Sequence, residues 1–231
     1  MAIKENYMAT YRNGIITKNN ILETCKRLFY EKGYKDTTYI DICEDADVSP
    51  GAITRFFGSK KIIAIDIYSD LLISIKENTK SYLLEKHNEY NLRVASALEQ
   101  TIFTDLICTN NHYKKFYYDI CVDGLLLDSY IDKMDYFFKL HSDEYNLCLD
   151  ESQLRLLQTT TTSISLGVTR KWIEGFLGDL SSQEYSDYKI SIMYSLMGLS
   201  NSEIGEILKE VHEIYSELSI IPIDFFSIVI E

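Results

Sequence analysis

Apolar residues recur at helical spacing along most of the chain. Between residues 17 and 32, Ile21, Leu22, Cys25, Leu28 and Phe29 follow the spacing i, i+1, i+4, i+7 and i+8, which predicts a helix with a single apolar stripe. Similar patterns predict helices over residues 59–86, 92–109, 112–124, 128–147, 152–175 and 182–199 and from 201 onward. Period-two alternation is confined to the short tail IIPIDFFSIVIE, so we expect an all-α protein.

Residues 1–16, which precede the first stripe, lack this periodicity. We expect Thr17 to cap the first helix and the preceding segment to form a loose arm. This arm is either a frayed terminus or a segment whose Lys4 and Arg12 reach a phosphate or a minor groove.

Residues 37–61, TTYIDICEDADVSPGAITRFFGSKK, predict two short helices joined by a tight turn. Thr38 is a candidate N-cap for the first of them. Asp47 falls at the turn, where Asp is one of the few residues besides glycine that tolerate a left-handed backbone. Ser49 and Pro50 then start the second helix, because serine caps well and proline suits the first helical position.

The second short helix is about two turns long and has two unlike faces. Gly51 and Ala52 give its front little bulk, while Ile53 and Phe57 can turn back into the protein. A helix of this shape suits the major groove of duplex DNA. Ser59 caps the next helix, and its free N–H groups together with the Lys60 ammonium would bind a phosphate.

At these residues the sequence resembles the DNA-binding domain of the tetracycline-repressor (TetR) family of bacterial regulators. The residues in register with the family pattern are Thr37, Thr38, Ile42, Ala46, Val48, Ser49, Gly51, Ile53, Phe57 and Lys60. Cys43, Asp47 and Thr54 replace the usual alanine, glycine and tyrosine, and Phe56 stands where His or Tyr is common. The residues expected to contact double-stranded DNA are Thr38, Tyr39, Ser49, Pro50, Gly51, Ala52, Thr54, Arg55 and Lys60.

The resemblance also implies a small-molecule cavity between the long fourth helix and the helices within 92–147. The candidate lining residues are Phe103, Tyr117, Cys121, Tyr136, Phe137 and Trp172, although aromatic residues at this spacing also fit an ordinary core. The carboxylates at Asp119, Asp123, Asp128, Asp132 and Asp135 suit a cationic ligand, or more simply a solvated helix face.

By the same resemblance, the helices at about 152–175 and 182–199 are expected to pair with their mates in a homodimer. The small residues Thr161, Ser165 and Gly167 would let the helices approach closely. The alternative is an ordinary helix hairpin within one chain.

The net charge of −12 is unusual for a protein that binds phosphates. Residues 1–61 carry ten Lys and Arg against eight Asp and Glu, which leaves 13 against 27 for the rest of the chain. Since Asp41, Glu44, Asp45 and Asp47 fall near the proposed DNA face, we expect weak non-specific binding and a strong dependence on dimerisation.

The sequence gives little support for catalysis, metal binding or a membrane location. The four histidines have no HxxxH spacing, the five cysteines form no CxxC pair, and no P-loop, G-x-S-x-G or dinucleotide fingerprint occurs. No apolar run reaches the ~18 residues of a membrane span, and the N-terminus lacks the apolar core of a signal peptide. We therefore expect a cytoplasmic protein that is not an enzyme and needs no cofactor or metal.

These observations predict a helix-turn-helix domain over residues 1–61 and a helical effector-binding and dimerisation domain over residues 62–231. The expected function is that of a TetR-like transcriptional regulator, a ligand-responsive repressor that binds a palindromic operator as a homodimer. The alternative is a helical small-molecule-binding or interaction protein that keeps the helix-turn-helix unit only as scaffold.

Overall fold

The structure is a computed structural model that describes the backbone of residues 2–130 and 135–231 and the side chains of residues 12–128 and 136–231. The N-terminal helices are α1 Ala2–Lys32, α2 Tyr39–Ala46, α3 Pro50–Phe57 and α4 Lys60–Tyr82. They are followed by α5 Leu92–Thr109, α6 Asn111–Val122, α7 Asp135–Glu144, α8 Glu151–Ile173, α9 Ser182–Leu196 and α10 Asn201–Glu217. Strands β1 Ile220–Asp224 and β2 Ser227–Ile230 end the chain. The predicted all-α class is confirmed, with one terminal hairpin added to it.

The first helix begins much earlier than the sequence predicts. Helix α1 already includes residues 2–16, so the expected loose arm is wrong. Thr17 is not a cap, since its hydroxyl donates to the Asn13 carbonyl within the helix at 2.9 Å. No proline interrupts residues 1–16, and Gly14 costs a helix only about 1 kcal/mol. The side chain of Lys4 lies outside the described residues.

Helices α1, α2 and α3 form a three-helix unit around a common core. Ile21, Phe29, Ile42 and Ile53 are fully buried. These side chains belong to the same continuous core as the α4 residue Ile63. Burial of large aliphatic and aromatic side chains contributes roughly 1.5–3 kcal/mol each, so this core fixes α3 against its neighbours.

Helix α4 connects the three-helix unit to the rest of the protein. Its buried face continues through Ile67, Leu71 and Ile75 and packs against α5. The predicted helix to residue 86 is present, but its last turn, Leu83–His87, is π-helical. A helix of this length spans roughly 35 Å at 1.5 Å per residue, so one rod extends from the three-helix unit into the C-terminal helices.

The predicted helix over residues 128–147 is shorter in the structure. A π-helical turn covers Leu126–Tyr130 and α7 covers Asp135–Glu144, while residues 131–134 lie outside the described residues. The helices predicted at 152–175 and 182–199 correspond to α8 and α9. Each is started by a capping box, from Asp150 with Gln153 and from Ser181 with Glu184.

The C-terminal tail forms an antiparallel hairpin that packs on the body of the protein. Ile220 pairs with Ile230 in the ladder between β1 and β2. Phe226, at the turn, is 2% exposed and lies 4.4 Å from the ring centroid of Phe116. The Asn78 side-chain amide of α4 donates to the Ile228 carbonyl at 3.2 Å. No helix in the described ranges is both long and apolar enough to cross a bilayer.

Candidate nucleic-acid interface and ligand cavity

The turn between α2 and α3 has the geometry that the sequence predicts. Asp47 adopts the left-handed conformation, with φ 50° and ψ 52°, and caps the end of α2. Thr38 caps the start of α2 by accepting a hydrogen bond from the Asp41 N–H. Ser49 is the extended residue before Pro50, but its side chain forms no capping hydrogen bond. The Ser49 hydroxyl therefore stays available at the start of α3.

Helix α3 exposes its predicted front and buries its predicted back. Ile53 is fully buried and Phe57 is 8% exposed. Gly51 and Thr54 are exposed, and Ala52 is half-buried. The front of α3 thus presents small side chains and one hydroxyl to the surface of the protein.

Arg55 is the long basic side chain on this exposed front. Its guanidinium carbon lies 4.4 Å from the centroid of the Phe56 ring, a cation–π arrangement that restrains the side chain. Arg55 forms no ion pair with any carboxylate among the described side chains. Phe56, which departs from the family pattern, therefore supports a cation that is free to meet a phosphate or a base.

Lys60 does not occupy the position that the sequence predicts for a phosphate ligand. Its ammonium donates to the carbonyls of Tyr34 at 2.8 Å and Thr37 at 2.6 Å. It also lies 4.4 Å from the centroid of the Tyr34 ring, and burial lowers its pKa. The predicted contact of this ammonium with a phosphate does not fit this geometry, because the group ties α4 to the α1–α2 loop.

Two other predicted DNA residues are also engaged within the protein. The Tyr39 hydroxyl accepts a hydrogen bond from the Lys60 N–H at 2.9 Å, so this N–H is already satisfied. The Thr38 hydroxyl donates to the Asp41 carboxylate at 2.6 Å. Thr38, Tyr39 and Lys60 thus position α2 and α4. At α3, Ser49 and Arg55 keep polar groups unengaged, while the Thr54 hydroxyl donates to the Pro50 carbonyl at 3.4 Å.

Two of the three acidic residues of α2 pair with basic residues of α1. The carboxylate of Asp41 lies 2.8 Å from the Lys32 ammonium, and that of Asp45 lies 2.5 Å from the Arg27 guanidinium. Lys32 and the Thr38 cap hold the pKa of Asp41 well below its usual range. Two of the carboxylates that seemed unfavourable for DNA binding are therefore neutralised locally.

A cavity of ≈ 360 Å³ lies in the C-terminal region, with walls from α4 to α9. Of the predicted lining residues, Phe103, Tyr117, Tyr136 and Phe137 do line it. The cavity also extends between α8 and α9, beyond the predicted position, and two predicted interface residues, Thr161 and Ser165, face into it. Its volume falls within the range of small-molecule sites.

Cys121 and Trp172, the other two predicted ligand residues, are not among the residues that line this cavity. Trp172 stacks on Tyr185 with ring centroids 4.3 Å apart, and its N–H donates to the Leu180 carbonyl at 3.0 Å. This contact fixes the connection from α8 to α9. Cys121 is half-buried, its thiol lies beside Tyr117, and burial raises the pKa of the thiol to about 12.

The cavity contains charged residues that the sequence analysis missed. Glu99 on α5 and Lys189 on α9 both line it, as does Lys76 on α4. Burial raises the pKa of Glu99 to about 7, against the opposing charge of Lys76. Burial lowers the pKa of Lys189 to about 8. A signal was present in the sequence, since each charge falls within the apolar stripe of its helix.

The described carboxylates on α6 and just after it do not form a site for a cationic ligand, because each of them is paired within the protein. Asp119 accepts a hydrogen bond from the Lys35 N–H, and Asp123 pairs with the Lys35 ammonium. Asp128 lies 3.4 Å from the Lys61 ammonium. Asp119 and Asp123 thus join α6 to the loop between α1 and α2, and Asp128 pairs with the start of α4. Two further members of the predicted run, Asp132 and Asp135, have side chains outside the described residues.

The outer face of α8 and α9 combines small and exposed apolar side chains. Leu156 is 68% exposed, and Leu196 is also exposed, as is Tyr188, which borders the cavity. Gly167, between them in the chain, is exposed and has open space beside it. Exposed apolar residues grouped on adjoining helices are typical of an interaction surface.

Comparison with known proteins agrees with this geometry. Residues 21–66 match the family described as bacterial regulatory proteins, tetR family. RolR in complex with resorcinol is similar in structure, with a TM-score of 0.60, 15% sequence identity, and coverage of 86% of this chain and 95% of that chain. No curated protein sequence matches this chain.

Two further solved structures share the fold. FadR of Thermus thermophilus in complex with lauroyl-CoA, a TetR-family transcriptional repressor, has a TM-score of 0.56 at 16% identity, with 80% of this chain and 96% of that chain covered. A putative TetR-family regulator from Syntrophomonas wolfei has a TM-score of 0.51 at 18% identity, with 80% and 97% covered.

Proposed function

We propose that this protein is a ligand-responsive transcriptional repressor. The premise is that residues 21–66 form a DNA-binding domain of the tetR family and that the chain has the fold of that family's regulators. The protein binds a palindromic operator as a homodimer. A small molecule in the C-terminal cavity weakens this binding.

The exposed front of α3 is the observation that carries the proposal. Ser49, Gly51, Thr54 and Arg55 lie together at the surface, and none of their side chains is needed to hold the three-helix unit. Thr54 offers a methyl and a hydroxyl to base edges, while Arg55 offers a guanidinium to a guanine or a phosphate. Their fixed placement follows from the buried back of α3.

Dimerisation is proposed through the outer face of α8 and α9. A helix-turn-helix dimer reads two half-sites about 34–36 Å apart on one face of DNA. The exposed side chains Leu156, Tyr188 and Leu196 supply apolar area, and Gly167 permits close approach of a partner helix. Two copies would also offset the modest positive charge of a single three-helix unit.

The cavity supports control by a small molecule. Its lining includes Leu72 and Ile75 of α4 and Tyr117 of α6, and both helices also contact the three-helix unit. The similar structures of RolR and FadR contain resorcinol and lauroyl-CoA, so this fold holds small molecules in other proteins. A ligand that displaces α4 or α6 would change the separation of the two α3 helices.

Selection of genomic DNA fragments by the purified full-length protein tests the proposal. We expect enrichment of a small set of fragments that share an inverted repeat. Retention of all fragments alike, with loss on raising salt, would instead support the scaffold alternative, because non-specific binding is purely electrostatic.

The proposed interface is tested separately by light scattering after size-exclusion chromatography. Leu156→Glu is expected to give a monomer, because it places a charge in the apolar contact. Leu84→Glu is the matched control, since Leu84 is exposed but lies on the π-helical turn after α4. A dimer that persists in Leu156→Glu, or is lost equally in both variants, would contradict this interface.

A further inference from the structure

Lys189 is a buried cation without a counter-charge in its surroundings. Its side chain lines the cavity and is 9% exposed. The ammonium lies 5.4 Å from the ring centroid of Tyr185 and 5.9 Å from that of Phe103. It forms no hydrogen bond and no ion pair within the described part of the chain. Burial of an ammonium without an anionic partner is costly.

The cavity as a whole has an excess of positive charge. Its described lining contains two ammonium groups, of Lys76 and Lys189, and one carboxylate, of Glu99. The Glu99 carboxylate interacts with Lys76, which leaves Lys189 unmatched. His141, which lies behind Ser96, does not add charge, because burial lowers its pKa to about 4.

The titratable groups that interact with Lys189 do not supply the missing anion. The thiols of Cys108 and Cys121 interact with it, but burial raises the pKa values of these thiols to about 11 and about 12. Both are therefore neutral at pH 7. Burial lowers the pKa of Lys189 only to about 8, so most of the ammonium remains charged at pH 7.

The remaining walls of the cavity are apolar. Leu72 and Ile75 of α4, Phe103 of α5, Leu126, and Ile192 of α9 contribute aliphatic and aromatic surface. We propose that the cavity binds an organic acid, whose apolar body contacts these walls and whose carboxylate pairs with Lys189. Binding of the acid does not depend on DNA. Only its role in controlling DNA binding rests on the proposed function.

Two matched series of probes test the inference by isothermal titration calorimetry on the full-length protein at pH 7. The first is decanoate, 1-decanol and decylamine, and the second is 2-naphthoate, 2-naphthalenemethanol and 2-naphthylmethylamine. Within each series only the head group changes. We expect the carboxylate to bind at least about tenfold more tightly than the alcohol in at least one series, because a charge-assisted hydrogen bond adds at least that much.

Substitution of Lys189 identifies the group responsible. Lys189→Met is expected to reduce the preference for the carboxylate over the alcohol to about onefold, while binding of the alcohol stays within about threefold. Lys189→Gln is the second variant, and circular dichroism checks that each is folded. Lys209→Met is the control, since Lys209 is exposed on α10 and does not line the cavity, and it is expected to keep the preference.

Three results would overturn the inference. They are equal or tighter binding of the alcohol or amine in both series, a preference that survives in both Lys189 variants, and failure of both carboxylates to bind with a Kd below about 1 mM. Enrichment of specific DNA fragments together with any of these results would leave the regulator standing and remove only the organic acid. Binding of the carboxylate without enrichment of specific DNA fragments would support the organic-acid site and count against the regulator.

Discussion

The buried carboxylate of Asp119 accepts a hydrogen bond from the backbone N–H of Lys35 at 2.9 Å. This contact joins α6 to the loop between α1 and α2 and so to the three-helix unit. Tyr117, two residues earlier in α6, lines the cavity. A shift of α6 that follows ligand binding would therefore act on the DNA-binding unit directly, in addition to the route through α4.

Asp119→Ala is expected to lower the free energy of unfolding by about 1–3 kcal/mol, because it leaves the Lys35 N–H without its acceptor. Urea unfolding measures this change. Asp123→Ala is the control, since it removes only the partly exposed ion pair with the Lys35 ammonium, and should cost less than about 1 kcal/mol. Equal losses in both variants would argue against a special role for the buried contact.

Arg55→Ala is expected to weaken binding to a selected DNA fragment by at least about tenfold, because a guanidinium contact to a base or phosphate is lost. Fluorescence anisotropy at fixed salt measures the affinity. Lys209→Ala removes the same charge at an exposed position on α10 and should leave the affinity nearly unchanged. Similar losses in both variants would show that net charge alone decides binding.

Lys60→Ala separates a positioning role from a phosphate contact. The variant is expected to unfold at a lower urea concentration, because the carbonyls of Tyr34 and Thr37 lose their donor. The salt dependence of DNA binding should keep its slope, since a lost phosphate contact would reduce that slope by about one ion. A reduced slope with unchanged stability would restore the phosphate role that the sequence predicts.

Glu99 makes the stability of the protein depend on pH. Its Oε1 atom has no hydrogen-bond partner among the described residues, and burial raises the pKa to about 7 from 4.5. A raised carboxyl pKa means that the folded state loses stability as pH rises from about 4.5 to 7, because the unfolded state gives up this proton earlier. Glu99→Gln removes this dependence.

We therefore expect Glu99→Gln to become more stable relative to the wild type as pH increases. The difference in free energy of unfolding should widen by up to about 2 kcal/mol between pH 5.5 and pH 8. Urea unfolding of both proteins at these two pH values measures it. A difference that is the same at both values would mean that Glu99 ionises normally in the folded protein.

Features that depend on local sequence were predictable. Thr38 as a cap, the left-handed Asp47 and the start of α3 at Pro50 each follow from the preferences of one residue and its neighbours. The buried positions of α1 and α3 follow from helical periodicity. These signals were enough for the fold class and for the exposed front of α3.

Features that depend on tertiary contacts were not predictable from the sequence. The Lys60 ammonium donates hydrogen bonds to carbonyls more than 20 residues away in the chain. No local sequence pattern indicates these contacts. Trp172 matched the expectation for a ligand residue by type, but its N–H and ring are used between α8 and α9. Which aromatic residues line the cavity and which belong to the core therefore depends on tertiary packing, and the sequence alone did not distinguish them.

A hydroxyl-radical footprint of the full-length protein on a selected fragment tests the central claim most directly. If two α3 helices read one duplex, the footprint will show two protected patches about 10 base pairs apart on one face of the DNA, and Arg55→Ala will erase both while Lys209→Ala erases neither. A single patch, uniform protection along the fragment, or a footprint unchanged by Arg55→Ala would contradict the account.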